Sequence, residues 1–562
     1  MSGFDETFDW VVVGSGAGSM SSAMVMRDAG KSVVILEKMP YVGGTTAKSG
    51  GVMWIPNNRF IRAEEPGESA EKGITYLDAV CDDGSDAPGT SHEKRLAYIT
   101  EAPKMLDYII GKGVEMERAT DFWPDYYDDL PGGCSTTRCV TAKFFNTNEL
   151  GEWRTKLAPG FAPFPAKLDD GMKVTNFMHK SWGIKLKFLK IAFRVVGAKL
   201  TGKHFTTAGA ALQGRMLKAA LANGVDIRTQ SPVKEFIVED GKVVGVIAEV
   251  NGQTRRIGAN LGVLVNAGGF AQNQAMRDKY MPGTKAAWSN TPPGDTGDLF
   301  GEMERVGGVL AQMDQMVGYQ TSYAPGFDKD FVKPGGQGIT GKPGCILVDQ
   351  SGVRYMNEGG SYELYCQNML ERNRTVPAVP SWAVFDQNYA ENYKVLNKWL
   401  GKPDVRKDLV DCGYLKVSET IEDLAAQIKT DPATLRATIE RWNGFVEKGV
   451  DEDFGRGNRE YDKWLGDPFK DGNPALARID KGPFFAIDII PGDVSTYGGA
   501  LIDARARVIK ADGTPVPGLY ACGVSTASIM GGVYPGAGAS VGPSMTFGYI
   551  AAKHAAGVDN SI

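Results

Sequence analysis

Histidine is scarce in this chain of 562 residues, with four in all (His92, His179, His204 and His554), and its seven cysteines (Cys81, Cys134, Cys139, Cys345, Cys366, Cys412 and Cys522) are dispersed without a C-x-x-C pair. Structural zinc needs clustered nitrogen or sulfur ligands and a disulfide framework needs paired cysteines, so no metal is expected and a reduced compartment is the simple reading. No run of about 18 uncharged apolar residues occurs, and Met1 to Asp9 is acidic and polar where an export signal would be apolar. The expectation is a cytoplasmic protein, neither exported nor membrane-spanning. Net charge is slight, −5 at pH 7, which argues against a nucleic-acid footprint over the whole surface and leaves room for a local basic patch. Disorder is not indicated either, because 42% apolar and 23% charged residues are globular proportions.

Glycine, by contrast, is abundant: 71 residues without a collagen period point to tight turns and close approach of backbone to a large ligand. The length exceeds what one hydrophobic core serves, so two large domains are expected. The apolar run Trp10 to Val13 leads directly into Gly14-Ser15-Gly16-Ala17-Gly18-Ser19 and a helical pattern over Met20 to Ala29. Strand, glycine turn and helix in this order make a phosphate site. Gly14 permits the turn, Gly16 lets backbone reach a pyrophosphate, and the helix N-terminus offers unpaired N–H groups and the positive end of its dipole. Ser19 stands in the third glycine's place, still small enough for helix and strand to pack closely. A second strand, Ser32 to Leu36, ends at Glu37, about 20 residues beyond the glycines, where a carboxylate can accept from the hydroxyls of an unphosphorylated ribose. The cluster Gly43-Gly44-Thr45-Thr46-Ala47-Lys48-Ser49-Gly50-Gly51 then supplies small residues and N–H donors for the rest of an extended dinucleotide, which favours FAD over NAD.

Two distant segments extend the pattern. Leu261 to Gly269 reads as a buried strand ending in a glycine turn, preceded by a hairpin over Ile237 to Val244. Gly518 to Gly523 repeats the strand-then-glycine theme before a last amphipathic helix around Phe547 to His554. The expected class is α/β, with a Rossmann-type FAD-binding domain assembled from both chain ends (residues 1–313 and 492–562). Between them lies an inserted α+β catalytic domain (314–491), and residues 171–205 form a basic amphipathic insertion. The candidate cofactor set is completed by Lys38, Val233, Ala267, Gly268, Asp298, Gly523, Ser540 and Val541.

The chain resembles the fumarate reductase and succinate dehydrogenase flavoproteins from its first strand to its C-terminus. Within them, four separated segments in one order resemble the 3-ketosteroid Δ1-dehydrogenases. These are Phe122-Trp123-Pro124-Asp125-Tyr126-Tyr127, then Arg354-Tyr355-Met356-Asn357-Glu358 followed by Tyr362, then Gly449-Val450-Asp451-Glu452-Asp453-Phe454, and last Tyr534-Pro535-Gly536-Ala537-Gly538. The resemblance implies FAD held without a covalent link, in keeping with the lack of histidine in the cluster after Glu37, and an external electron acceptor such as a quinone. It implies that Tyr534 and the backbone N–H of Gly538 hydrogen-bond a steroid 3-carbonyl, that Tyr362 removes the C2 proton, and that Tyr126 assists Tyr362. Tyr127, next in the chain, is the alternative that could face inward. The implied reaction is 1,2-desaturation of a 3-ketosteroid. The residue types suit it: donors at the carbonyl oxygen make the α-proton acidic, and a tyrosine base, with a reference pKa of about 10, needs a neighbour's help to gain phenolate character.

Three rival readings are weighed against this one. A fumarate-reductase-type site needs arginines for carboxylates and histidine near a Gly-Gly, whereas the corresponding segment Asp493-Val494-Ser495-Thr496-Tyr497-Gly498-Gly499 has no histidine. A 3-ketosteroid Δ4-(5α)-dehydrogenase would use similar chemistry with the steroid placed differently over the flavin. A flavin-containing electron-transfer module would have no use for the tyrosines.

One local excess remains. Between Gly171 and Val225 there is no Asp or Glu, yet Lys173, Lys180, Lys185, Lys187, Lys190, Arg194, Lys199, Lys203, Arg215 and Lys218 all occur. As a helix from Trp182 to Leu200, this stretch sets Trp182, Leu186, Leu189, Phe193, Val196 and Leu200 at spacings of four and three, and Ile184, Phe188, Ile191 and Val195 widen the apolar sector. The pattern is that of a helix lying in an anionic membrane interface, through residues 180–203. A helix docked on the protein with a solvated basic edge is the alternative.

Overall fold

The computed structural model describes residues 3–81, 88–119 and 123–558. Phe122, which opens the first of the four family-like segments, lies outside the described residues. Five parallel strands form the first sheet, in the order Pro515–Ala521, Gln253–Val265, Glu6–Val13, Val33–Leu36 and Asp226–Arg228. Arg507–Ile509 adds an antiparallel edge, and the hairpin Val233–Glu239/Lys242–Val250 pairs with the first half of Gln253–Val265. Trp10, Val11, Val12 and Val33 to Leu36 are all buried, the uninterrupted apolar pattern of a sheet covered on both faces. Strands from both chain ends thus flank Gln253–Val265 in one sheet.

Gly14 ends the first strand at φ +89°, and a Cβ there would stand 2.2 Å from the Asn266 carbonyl oxygen, so only glycine fits. The following helix, Ala17–Asp28, begins three residues earlier than the apolar pattern suggests, which puts Gly18 and Ser19 inside it. Gly18 meets the last helix, Val541–Ala556: a Cβ on Gly18 would lie 2.4 Å from the Ser544 carbonyl, and one on Gly548 2.2 Å from that of Gly18. The close contact that small residues permit is therefore helix to helix. Ser19 is buried and hydrogen-bonds the side-chain amide of Asn266.

The second sheet is antiparallel, in the order Met316–Thr321, Phe484–Thr496, Ser381–Asp386 and Cys345–Val348, with Lys416–Ser418 also paired to Phe484–Thr496. The expected domain boundary at 491 falls inside the strand Phe484–Thr496. Pro491 does not end this strand because the ladder with Ser381–Asp386 stops at Ile489, leaving the missing N–H of Pro491 on an unpaired side.

The loop carrying Tyr126 is fastened by buried charge. Arg138 donates to Asp125 at 2.6 Å and to Glu68 at 2.7 Å, and Asp125 accepts from the Trp54 indole at 2.7 Å. Leaving two buried carboxylates without their cation is costly, so Arg138→Leu is expected to lose about 3–5 kcal/mol of stability. A calorimetric midpoint equal to the parent's would contradict that role.

The insertion contains the helices Leu168–Phe177 and Trp182–Leu200. Ile184 and Ala198 of the second helix are buried, with Ile191 and Val195 half-buried between them, whereas Trp182, Phe193 and Leu200 are 78%, 75% and 83% exposed. The helix thus has two apolar stripes, one against the protein and one open. Lys180 is paired with the buried Asp467 and Phe177 packs on Phe469, which ties the start of the helix to the second domain. No helix among the described residues is long and apolar enough to cross a membrane.

Candidate active site

A cavity of about 740 Å³ runs between the two sheets. Of the sequence-predicted cofactor residues, Gly14, Gly16, Glu37, Lys38, Gly44, Thr45, Thr46, Ser49, Gly50, Val233, Ala267, Gly268, Asp298, Ser540 and Val541 line it. Ala17, Gly18, Ser19, Gly43, Gly51 and Gly523 do not. Ala17 is buried, Gly18 packs on the last helix and Ser19 hydrogen-bonds Asn266. The N–H of Gly43 donates to the Ser15 hydroxyl at 2.9 Å, a Cβ on Gly51 would lie 2.6 Å from Gly209, and one on Gly523 would lie 2.5 Å from the Asn266 side chain. Lys38 and Asp298 are paired with each other at 2.6 Å.

Several features of the wall suit a dinucleotide. The helices Ala17–Asp28 and Val541–Ala556 both begin beside the cavity, at Gly16 and Ser540, with no side-chain cap; the first offers its leading N–H groups to phosphate, whereas in the second the Gly542 N–H already donates to the Gly538 carbonyl and Pro543 has none, leaving that of Val541. Glu37 is buried and held by Ser15 at 2.5 Å and by the Met39 N–H at 2.8 Å, which leaves acceptor lone pairs for a ribose. Burial raises its pKa against these two hydrogen bonds. Asp295, which the sequence did not single out, lines the cavity with Oδ1 accepting from the Gly269 N–H and Oδ2 buried without a partner. Its pKa is pushed up to about 6 by burial. A hydroxyl-rich chain would satisfy that orphaned oxygen. Asn266 and Tyr319 are further lining residues without a sequence motif.

At one end of the cavity the tyrosines meet. The ring centroids of Tyr126, Tyr362 and Tyr534 lie 5.6 Å (126 to 362), 6.0 Å (126 to 534) and 5.6 Å (362 to 534) apart, and Tyr319 stands 6.3 Å from Tyr362. Tyr534 lines the cavity, while Tyr362 opens the helix Tyr362–Arg372 and is half-buried among the other rings. Between the two adjacent candidates, Tyr126 is the one in this cluster; Tyr127 lies under the Arg459 guanidinium at 5.0 Å. The family-like segments hold the cluster in pairs. The Tyr126 N–H donates to the Pro535 carbonyl at 3.0 Å, joining the first segment to the last. Arg354 binds Glu358 at 3.0 Å and Asp451 at 2.7 Å, joining the second to the third just ahead of Tyr362.

Burial raises the pKa of all three tyrosines, well above the ordinary value for Tyr126 and Tyr362. Tyr534 rises only to about 12, because a hydrogen bond with Tyr362 and the backbone N–H groups of Ser540 and Gly538 oppose burial. Gly538 is fixed at φ +92°, where a Cβ would lie 2.2 Å from the Val52 carbonyl, so the turn that follows Tyr534 requires glycine. Glu363, next to Tyr362, has both carboxyl oxygens buried without partners, and burial alone holds its pKa well above the carboxylate range.

Residues 9–541 match the family described as an FAD binding domain. The chain is 32% identical to the 3-oxosteroid 1-dehydrogenase of Mycolicibacterium smegmatis, over 97% of its own length and 97% of the relative's. The chain belongs to the 3-oxosteroid 1-dehydrogenase family of FAD-binding flavoproteins. Its fold matches that of the 3-ketosteroid Δ1-dehydrogenase from Sterolibacterium denitrificans in complex with 1,4-androstadiene-3,17-dione, at a TM-score of 0.89 and 33% identity, covering 99% of this chain and 100% of that one. At similar distance, 33% identical over 98% of this chain and 93% of the relative, stands the 4-oxocyclohex-2-ene-1-carboxylate 5-dehydrogenase of Sinomonas cyclohexanicum. These relatives of the family are named for dehydrogenation of oxo compounds, and the cofactor of the family is FAD.

Proposed function

We propose that the chain desaturates the 1,2 bond of 3-ketosteroids, with FAD bound non-covalently and re-oxidised by a quinone or another external carrier. The observation that carries this reading is the cluster of Tyr126, Tyr362 and Tyr534 at the end of the cavity, beside the Gly538 turn. Tyr534 and the Gly538 N–H hold the 3-carbonyl oxygen, where negative charge grows as the α-proton leaves. Tyr362 takes the C2 proton, and Tyr126, whose hydroxyl hydrogen-bonds it, favours its ionised form. Bound flavin supplies the acceptor for the C1 hydrogen as hydride. Gly14, Gly16 and Ser540 carry the pyrophosphate ends of the site, Glu37 a ribose and Asp295 a hydroxyl of the cofactor.

Androst-4-ene-3,17-dione added anaerobically should bleach the flavin and give the 1,4-diene. Bleaching by a 4-oxocyclohexanecarboxylate with none by the steroid would move the chain to the other branch of its family. Reduction by a 5α-reduced 3-ketosteroid giving the 4-ene would favour the Δ4 reaction.

The open stripe of the helix Trp182–Leu200, bordered by lysines, supports peripheral attachment to an anionic membrane face, from which very apolar steroids can be drawn. Docking on the protein accounts only for the stripe that holds Ile184 and Ala198. The protein is expected to float with anionic liposomes at low salt and to be released by salt. Leu186→Glu with Phe193→Glu, both at exposed positions, should abolish flotation without lowering the thermal midpoint. A parent protein that stays in the soluble fraction at low salt would end this reading.

A further inference from the structure

The cavity wall carries polar groups that the chemistry above leaves idle. Lys48 ends the short helix Gly44–Lys48, lines the cavity and is half-buried. Its ammonium lies 4.8 Å from the ring centroid of Phe331, an exposed residue, so this lysine stands where the cavity meets solvent. Phe161, also exposed, lines the cavity too. Among the described residues no carboxylate is paired with Lys48; burial, and then the charge of a second ammonium, that of Lys333, lower its pKa. Asn290 lines the cavity as well and is 7% exposed. Its Oδ1 accepts from the Lys333 N–H at 2.7 Å, which fixes the amide and leaves Nδ2 buried without a partner. The Lys333 ammonium itself turns back to the Phe327 carbonyl at 2.6 Å, so Lys48 is the cation of the wall. One segment, Phe331 to Lys333, thus meets both an ammonium without a counter-charge and an NH2 group without an acceptor. The same loop covers the tyrosine end of the cavity: a Cβ on Gly335 would lie 2.4 Å from the Tyr319 hydroxyl, and the Tyr319 ring stands 6.3 Å from that of Tyr362.

Donors without acceptors in a partly buried wall need a ligand that brings its own acceptors. We infer that Lys48 and Asn290 form a subsite for a carboxylate at the far end of the substrate, so that the chain takes 3-ketosteroids whose side chain ends in an acid. The inference rests on the 3-carbonyl being held at Tyr534. A steroid anchored there extends its D ring away from the tyrosines, and the end that reaches the mouth of the cavity meets Lys48 and Asn290. A carboxylate has lone pairs for both donors and cancels the charge of the lysine, in hydrogen bonds of the charge-assisted kind. A ketone or a hydroxyl at that end could accept from Asn290 but would leave the ammonium unneutralised. The nearby Lys333 adds to the preference for negative charge, because two ammonium groups without a carboxylate repel each other. Cofactor phosphate is the competing anion, and the flavin content of variants separates the two.

The test uses two ligands that differ in charge alone, 3-oxochola-1,4-dien-24-oic acid and its methyl ester. Both are already desaturated at the 1,2 bond, so their binding to the flavin-loaded enzyme can be measured by titration calorimetry without turnover. At neutral pH the acid is expected to bind about tenfold more tightly than the ester, the worth of one hydrogen bond to a charged group. Lys48→Met should bring the two to parity, and Lys48→Arg should restore the preference. Asn290→Asp keeps an oxygen for the Lys333 N–H and removes the NH2 group, so it should also lower the ratio of acid to ester affinity. Equal binding of acid and ester by the parent would overturn the inference, as would a parental ratio in Lys48→Met. Loss of flavin absorbance from Lys48→Met at a parental thermal midpoint would give this lysine to the cofactor phosphates and overturn it too. Failure of the reaction itself reads differently: androst-4-ene-3,17-dione would then leave the flavin yellow, whereas bleaching by that steroid with no preference for the acid would strike the subsite alone.

Discussion

Tyr362→Phe is expected to leave a folded, yellow protein whose flavin reduction by a 3-ketosteroid is slower by about 10²- to 10⁴-fold, the range that a positioned general base contributes. The substitution removes one oxygen. The ring stays at the head of the helix Tyr362–Arg372, among Tyr126, Tyr319 and Tyr534, and no residue assigned to the cofactor is touched. Loss of FAD is therefore not an expected route to inactivity, and the flavin absorbance of the purified variant checks this directly. Tyr534→Phe should also slow reduction, by about 2.7–4 kcal/mol of barrier. That deficit belongs in the rate constant more than in KM, because its hydrogen bond strengthens as the carbonyl oxygen gains charge. Stopped-flow reduction at saturating steroid separates the two. If Tyr362→Phe reduces its flavin at the parental rate, proton removal is the work of another group.

The N-terminal nucleotide fold was legible because its signals are local. A run of buried valines, a glycine turn and an amphipathic helix follow one another within about 30 residues, and each has a steric or hydrogen-bonding cause. Glu37 could be named from spacing alone. The split of this domain between the chain ends was legible from the repeated strand-then-glycine theme, and Pro515–Ala521 does lie beside Gln253–Val265. The tyrosines were named by resemblance. What the segments could not reveal is why they occur together. Asp125 is there to bind Arg138, and Arg354, Glu358 and Asp451 form one buried ion group. Arg354–Asp451 spans 97 residues and Asp125–Arg138 joins side chains 13 apart, so neither leaves a periodicity. Asp295 and Tyr319 were missed because a lone aspartate in a loop, or a lone tyrosine in a strand, looks like any other. The expected boundary at 491 falls inside a strand, and a strand that is paired on one side at that point tolerates the proline.

Gly16→Val should yield a folded apoprotein that no longer retains FAD. Gly16 has φ −62°, ordinary for valine, and a Cβ there would meet only the Asn266 side-chain amide at 3.1 Å, whose end can shift. The fold therefore tolerates the change. The added methyl groups, however, stand at the wall of the cavity, at the start of the helix Ala17–Asp28, where phosphate must come within hydrogen-bonding distance of backbone N–H groups. Gly14→Val provides the contrast. There φ is +89° and a Cβ would lie 2.2 Å from a backbone oxygen of the central sheet, so that variant should fail to fold rather than merely lose its ligand. Glu37→Ala should be milder than either, weakening retention by the loss of a ribose contact while the sheet stays intact. Far-UV circular dichroism and thermal unfolding rank the variants by fold, and the 450 nm absorbance of each purified protein ranks them by flavin. A Gly16→Val protein with parental flavin content would mean that the pyrophosphate does not approach the backbone at this turn.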